Sequence, residues 1–67
     1  MESDWVKIFE YADEVKCEMA RQILEDEEIE SVVMNKKDRA YGFGEFELYV
    51  MRSKVILAKR ILKELTP

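Results

Sequence analysis

Apolar and polar side chains alternate most regularly over residues 45–51. Three apolar residues share one face, Phe46, Leu48 and Val50. The residues that alternate with them share the other, Glu45, Glu47 and Tyr49. A period of two places successive side chains on opposite faces of a strand. The pattern therefore predicts a strand whose apolar face lies in a core.

Two more segments are predicted to be strands, residues 5–11, which are rich in aromatic and β-branched residues, and residues 29–35. In the first of them, alternation assigns one face to Trp5, Lys7, Phe9 and Tyr11, and the other to Val6, Ile8 and Glu10. Neither face is fully polar, so we expect this strand to be covered on both sides.

Helical spacing of apolar residues predicts a first helix over residues 12–27, with Asp13 as its N-cap. Its expected apolar face consists of Ala12, Val15, Met19, Ala20, Ile23 and Leu24. Residues 25–28 are all acidic, which opposes the helix dipole, and no glycine is available for the left-handed C-cap position. We expect this end to fray, or its acidic residues to serve a role outside the helix. A solvated acidic end is favoured over a site for a hard cation.

A second helix is predicted over residues 54–65, with Ser53 as its N-cap. Its apolar stripe consists of Leu57, Ala58, Ile61, Leu62 and Leu65. Its basic residues Lys59, Arg60 and Lys63 lie towards the C-terminal end, where cations interact favourably with the helix dipole.

The element order is therefore β-α-β-β-α, which predicts an α+β fold in a single domain over residues 1–67. A right-handed crossover between the first two strands leaves room for the third between them. The expected sheet is antiparallel with strand order 1-3-2 and carries both helices on one face. It corresponds to a ferredoxin-like fold that lacks the fourth strand.

This topology leaves the first strand as an open edge and one sheet face without helices. That face should display Trp5, Phe9 and Tyr49, together with a valine or methionine of the second strand. We predict a partner interface at Trp5, Lys7, Phe9 and Tyr49, covered by another protein or by a second copy in a homodimer. The alternative is that these large side chains only shield a thin sheet.

The amino-acid composition excludes several kinds of functional site. The chain has one cysteine, Cys17, and no histidine, so a disulfide within the chain, a structural zinc site and a histidine-assisted nucleophile are all excluded. A lone cysteine is typical of a reducing cytoplasm, and we interpret it as a structural thiol rather than a reactive one. No apolar run approaches the ~20 residues of a membrane span.

The net charge of -4 conceals an asymmetry along the chain. Residues 1–35 carry eleven acidic and three basic side chains, and residues 36–67 carry four and eight. The two parts therefore have net charges of -8 and +4. We favour attraction between neighbouring elements over a basic end that meets an acidic partner or a phosphate. The acidic net charge argues against a general nucleic-acid binder.

The loop over residues 36–44 concentrates the residues that suit ligand binding. Its candidates for a phosphate- or nucleotide-type anion are Lys36, Lys37, Arg39, Tyr41, Gly42 and Gly44. The cations would bind the anion, and the glycines would let the backbone approach it. The alternative is a solvated loop whose glycines only turn the chain.

No catalytic motif, metal site or cofactor motif is recognisable, so we expect a protein without enzymatic activity or cofactor. Neither a Gly-x-Gly-x-x-Gly nor a phosphate-binding loop is present, and no histidine could complete a catalytic triad. Glu45 and Glu47 share a strand face, where a solvated surface is a more ordinary role than an acid/base pair.

Residues spread over nearly the whole chain match the pattern of a known family, namely Trp5, Ala20, Leu24, Glu25, Ile29, Val32, Asn35, Glu47, Leu48, Val50, Ala58 and Leu62. On these residues the chain resembles the DUF2007 family, small prokaryotic domains of unknown function whose description is one of signal transduction. One departure is Glu28, which stands where the family usually has glycine. The resemblance implies a ferredoxin-like α+β fold, related in shape to the PII nitrogen-signalling proteins, and no established activity. No ligand motif of the PII proteins is present.

Together these observations predict a cytoplasmic, non-enzymatic regulatory module that works by protein–protein contact. The alternative function is a small-anion sensor that uses the loop over residues 36–44.

Overall fold

The computed structural model describes residues 4–36 and 46–65. The elements follow in the order β1 (Trp5–Tyr11), α1 (Glu14–Asp26), β2 (Ser31–Asn35), β3 (Phe46–Met51) and α2 (Val55–Leu65). The strands form one antiparallel sheet in the order β1-β3-β2. The predicted α+β fold and strand order are confirmed.

The core lies between the helices and one face of the sheet. In the central strand β3, Phe46, Leu48 and Val50 are buried, while the residues that alternate with them are half-buried. Both helices contribute buried residues to the same cluster, Cys17, Ala20 and Leu24 from α1 and Ala58 and Leu62 from α2. Both helices therefore cover this inner face, as the alternation in β3 required.

A β-bulge at Ile8 changes the facing of β1. Lys7 pairs with Tyr49, but the next pair is Phe9 with Leu48, so Ile8 has no partner of its own. An extra residue in one strand reverses the alternation beyond it. Phe9 therefore shares the inner face with the buried Leu48, and Tyr11 follows it opposite Phe46. The prediction that Phe9 and Tyr11 share a face with Trp5 and Lys7 was wrong for this reason.

The buried face of α1 also differs from the predicted one. Val15 and Met19 are 64% and 58% exposed, and Ala12, just before the helix, is exposed as well, whereas Cys17 is fully buried. Val15 precedes Leu24 by nine residues, which places the two about half a turn apart around the helix. Cys17, Ala20 and Leu24 are the buried residues of α1 and belong to the core cluster, so they form its inner face.

The start of α1 follows the prediction and its end does not. The Val15 amide donates a hydrogen bond to Asp13 Oδ1 at 2.8 Å, which confirms Asp13 as the N-cap. At the other end, the amides of Glu28 and Ile29 donate to the carbonyls of Glu25 and Leu24 at 2.9 and 2.8 Å. These two bonds form a Schellman motif, and Glu28 adopts a left-handed φ of 64° to make it. The helix end is closed rather than frayed.

The chain enters α2 without the predicted cap. A 3₁₀ turn over Arg52–Lys54 leads directly into the helix, and Ser53 lies inside this turn. The prediction of Ser53 as an N-cap was wrong, because the 3₁₀ turn continues into the α-helix and the capping position moves upstream. Leu57 is 43% exposed, so the buried stripe of α2 is centred on Ala58 and Leu62.

Candidate interaction surface

The sheet face opposite the helices is uncovered within the described residues, and we call it the outer face. Strand register assigns its members, which are Trp5, Lys7 and Glu10 of β1, Glu47, Tyr49 and Met51 of β3, and Val32 and Met34 of β2. Lys36 joins them through its ion pair with Glu47. Of the predicted interface residues, Trp5, Lys7 and Tyr49 are brought together here, and Phe9 is not.

An apolar groove occupies one part of the outer face. It is lined by Trp5, Val32, Met34 and Tyr49 and has a volume of about 280 Å³. Val32 and Met34 are 38% and 44% exposed, and the two aromatic residues are half-buried. The expectation that a valine or methionine of β2 would join the aromatic residues is confirmed. Apolar side chains from all three strands therefore lie next to one another on the outer face.

A charged cluster lies beside this groove, centred on Glu47. The Tyr49 hydroxyl donates to Glu47 Oε1 at 2.8 Å, and Lys7 Nζ and Lys36 Nζ lie 3.6 and 3.9 Å from the carboxylate oxygens. Lys7 also pairs with Glu10. The hydrogen bond from Tyr49, followed by the charges of Lys7 and Lys36, lowers the pKa of Glu47. The cluster holds Tyr49 in place as one wall of the apolar groove.

Glu47 should consequently make the fold sensitive to acid. A carboxylate with a lowered folded-state pKa stabilises the fold above its unfolded pKa of about 4.5 and loses that contribution as the pH falls. We expect Glu47→Gln to lower the free energy of unfolding by up to about 1 kcal/mol at pH 7, with a smaller difference from the wild type below pH ~4.5. Urea unfolding at a series of pH values measures this.

The control for this experiment is Glu30→Gln. Glu30 is an exposed carboxylate that forms no ion pair with the residues described in the structure. We expect this variant to follow the wild type at every pH. A Glu47→Gln difference that stays constant from pH 7 to pH 3 would contradict the ionic role of Glu47.

The structure describes one of the predicted ligand-binding loop residues. Lys36 lies directed towards Glu47, with 28% of its side chain exposed. The remaining candidates lie outside the described residues, namely Lys37, Arg39, Tyr41, Gly42 and Gly44. An anion site in this loop therefore stays a prediction. Lys36 is already paired with a carboxylate, which weakens its attraction for an external anion.

Sequence reasoning missed the central position of Glu47, which it interpreted as part of a solvated face. The signal was present, because Glu47 and Tyr49 are separated by one residue in a strand and so share a face. The neighbouring lysines come from two other segments, β1 and the end of β2. Strand pairing alone brings them together.

Cys17 is fully buried in α1, beside the sheet. Burial raises its thiol pKa, with a further contribution from the neighbouring Glu18, so the thiolate needed for reaction is disfavoured. This environment agrees with the interpretation of Cys17 as a structural thiol.

The thiol should therefore react only when the chain opens. We expect labelling of Cys17 by a disulfide reagent to be at least about a hundredfold slower in the native protein than in urea. The control is the double variant Cys17→Ala/Met19→Cys, which carries its thiol at an exposed position of the same helix. Equal native labelling rates for the two thiols would contradict the burial of Cys17.

Two kinds of feature are absent from residues 4–36 and 46–65, a membrane-spanning helix and a cluster of metal-ligating side chains. None of the helices there is long and apolar enough to cross a lipid bilayer. In the same ranges, no three acidic or cysteine side chains are grouped closely enough to hold a metal ion.

Comparison with known proteins supplies a family for the chain. The model of the DUF2007 family, described as "Putative prokaryotic signal transducing protein", matches residues 5–66, which is nearly the whole chain. No curated protein and no solved structure gives a match. The family description is one of signal transduction and names no enzymatic activity. On the extent of this match, the chain belongs to the DUF2007 family.

Proposed function

We propose that this protein is a non-enzymatic regulatory module that binds a protein partner through its outer face. The observation that carries the proposal is the apolar groove formed by Trp5, Val32, Met34 and Tyr49, which the helices leave uncovered. The signalling description of the family supports a regulatory role. The buried free thiol of Cys17 fits a reducing cytoplasm as the place of action.

The chemistry of the outer face matches that of a protein interface. Interfaces typically combine an apolar centre containing aromatic residues and methionine with a polar rim. Here Trp5, Tyr49 and Met34 supply the centre, and the Glu47 cluster supplies a rim with both signs of charge. A rim with both signs also suits a second copy, since each lysine can meet a carboxylate of the other copy.

The open side of β1 adds a second means of contact. Within the described residues, β1 pairs with β3 alone and is therefore an edge strand of the sheet. Its bulge and the charged Lys7 and Glu10 limit indiscriminate pairing of this edge. A partner that adds a strand here would extend the sheet and its outer face together.

The proposal is tested with Val32→Lys, which places a charge in the centre of the groove at a side chain already 38% exposed. We expect it to weaken partner capture from a lysate of the native host at least about tenfold, because the interface would have to bury an unpaired ammonium. Quantitative mass spectrometry of the captured proteins measures the loss. Sedimentation velocity at micromolar concentration shows whether that partner is a second copy.

Ile56→Lys is the matched control, since Ile56 is 78% exposed on α2, away from the outer face. It makes the same chemical change on a different surface and should leave partner capture unchanged. Equal capture by Val32→Lys and the wild type, with both proteins folded by circular dichroism, would refute the outer face as the interface.

A further inference from the structure

A second groove lies on the helix side of the sheet, between the end of β1 and α2. Its apolar part is formed by Phe9, Tyr11 and Leu62, and its basic part by Lys59, Arg60 and Lys63. Its volume of about 700 Å³ falls within the range of about 300–1,000 Å³ found for small-molecule sites. None of these residues belongs to the outer face.

The β-bulge is the reason that two aromatic rings lie in this groove. Regular alternation would place Phe9 and Tyr11 on the outer face with Trp5, and the extra residue at Ile8 turns both towards α2. Their ring centroids are 6.3 Å apart and the ring planes are inclined at 49°. Both side chains are only half-buried, so part of each ring is available for contact. Bulges are often found where a strand directs side chains into a site.

The basic part of the groove comes from one turn of α2. Lys59 and Lys63 are four residues apart, and Arg60 and Lys63 are three apart, so the three cations share one side of the helix. All three are exposed, and none forms an ion pair with a carboxylate among the described residues. Like charges at these spacings repel each other, although the C-terminal end of the helix dipole offsets part of the repulsion.

We propose that this groove binds a small phosphorylated compound that carries a flat ring. Two cationic ammonium groups and one guanidinium would contact the phosphate, and the guanidinium fork matches phosphate oxygens in two parallel hydrogen bonds. The ring would lie against Phe9 and Tyr11, where flat aromatic faces offer stacking and edge contacts. Burial raises the pKa of Tyr11, so its hydroxyl stays protonated and can donate a hydrogen bond to the ligand.

A phosphate attached to a ring explains the groove better than either part alone. Inorganic phosphate would use the cations and leave the aromatic rings in water. An uncharged cyclic ligand would contact the two aromatic side chains and leave the three cations repelling one another. Because the groove combines both kinds of contact within about 700 Å³, a compound of nucleotide size satisfies it.

The test is an NMR titration of the ¹⁵N-labelled chain with adenosine 5′-monophosphate as the probe, compared with adenosine and with inorganic phosphate. Saturable shifts are expected for the monophosphate at Phe9, Tyr11 and residues 59–63. Adenosine and phosphate should each bind at least about tenfold more weakly, since each lacks one set of contacts. Raising the salt concentration should lower the affinity of the chain for the monophosphate, because salt screens exposed cations.

The variant for this site is Lys59→Gln/Lys63→Gln, which keeps the length of the side chains close to that of lysine and removes two charges. We expect this double variant to bind the monophosphate about tenfold more weakly than the wild type, or weaker still. Lys54→Gln is the control, because Lys54 is an exposed cation in the 3₁₀ turn and does not line the groove. It should bind the monophosphate as the wild type does.

Three results would overturn the proposal. The first is shifts that do not saturate, and the second is equal binding by the double variant and the wild type. The third is a set of shifts confined to residues 36–44, which would assign anion binding to the loop instead. The groove and the outer face are on opposite sides of the sheet, so the Val32→Lys experiment and this titration succeed or fail separately.

Discussion

Leu48→Ala should leave the chain largely unfolded at 37 °C. Leu48 is fully buried in the central strand, between its pairing partners Phe9 and Val33 and beneath the helices. Leucine-to-alanine changes in cores cost about 2–5 kcal/mol, as the transfer energy of the lost atoms adds to the cost of the cavity. A core of this size rarely supplies more than ~3–5 kcal/mol in total, so the substitution removes most of the stability.

Thermal unfolding followed by circular dichroism measures the effect, and Leu57→Ala is its control. Leu57 is also a leucine, but 43% of its surface is exposed on α2. We expect the control to change the free energy of unfolding by less than about 1 kcal/mol, because alanine also favours the helix. Comparable losses in the two variants would mean that burial in β3 does not determine the stability.

Glu28→Gly should stabilise the protein by up to about 1 kcal/mol, because relief of the left-handed conformation, worth roughly 1–2 kcal/mol, exceeds the entropy that glycine adds to the unfolded chain. Glu28 has a φ of 64° and closes the Schellman motif at the end of α1. Glycine adopts this φ without steric cost, and the substitution also removes a negative charge from the negative end of the helix dipole. For a domain of this length, 1 kcal/mol corresponds to a rise in Tm of about 4–8 °C.

The charge contribution is separated from the backbone contribution by Glu27→Gly. Glu27 is the adjacent exposed residue and has a φ of -96°, which an ordinary residue adopts readily. This control removes the same charge from the same helix end, but glycine gains nothing there and increases the entropy of the unfolded chain. We expect its Tm to stay the same or fall. A rise equal to that of Glu28→Gly would show that charge, not φ, limits stability.

Much of the fold was predictable because it depends on local periodicity. The alternation in β3 placed Phe46, Leu48 and Val50 in the core, and all three are buried. The Asp13 N-cap follows from a side chain that bonds to an amide two residues along, so it needs no tertiary information. The strand order 1-3-2 followed from the element order together with the handedness of crossover connections.

The candidate surface was predicted in outline, and its errors have one cause. Trp5, Lys7 and Tyr49 were correctly assigned to one sheet face. Trp5 and Lys7 precede the bulge in β1, and Tyr49 lies in the regular strand β3. Phe9 was assigned to the wrong face because alternation was assumed to continue through Ile8. Because both faces of β1 contain apolar residues, its apolar pattern does not indicate a bulge. Only the pairing with β3 shows where the bulge lies.

The sequence by itself determined the order of the elements, the core face of β3 and the absence of a histidine-based site. Tertiary structure alone decided where the bulge falls, which side of α1 is buried and how that helix ends. These features depend on distances between segments far apart in the chain, since Cys17 and Ala20 must meet the sheet and Glu28 must deliver Ile29 to the core. The same bulge separates Trp5 from Phe9 and Tyr11, and so divides one predicted aromatic face into an outer face and a groove beside α2.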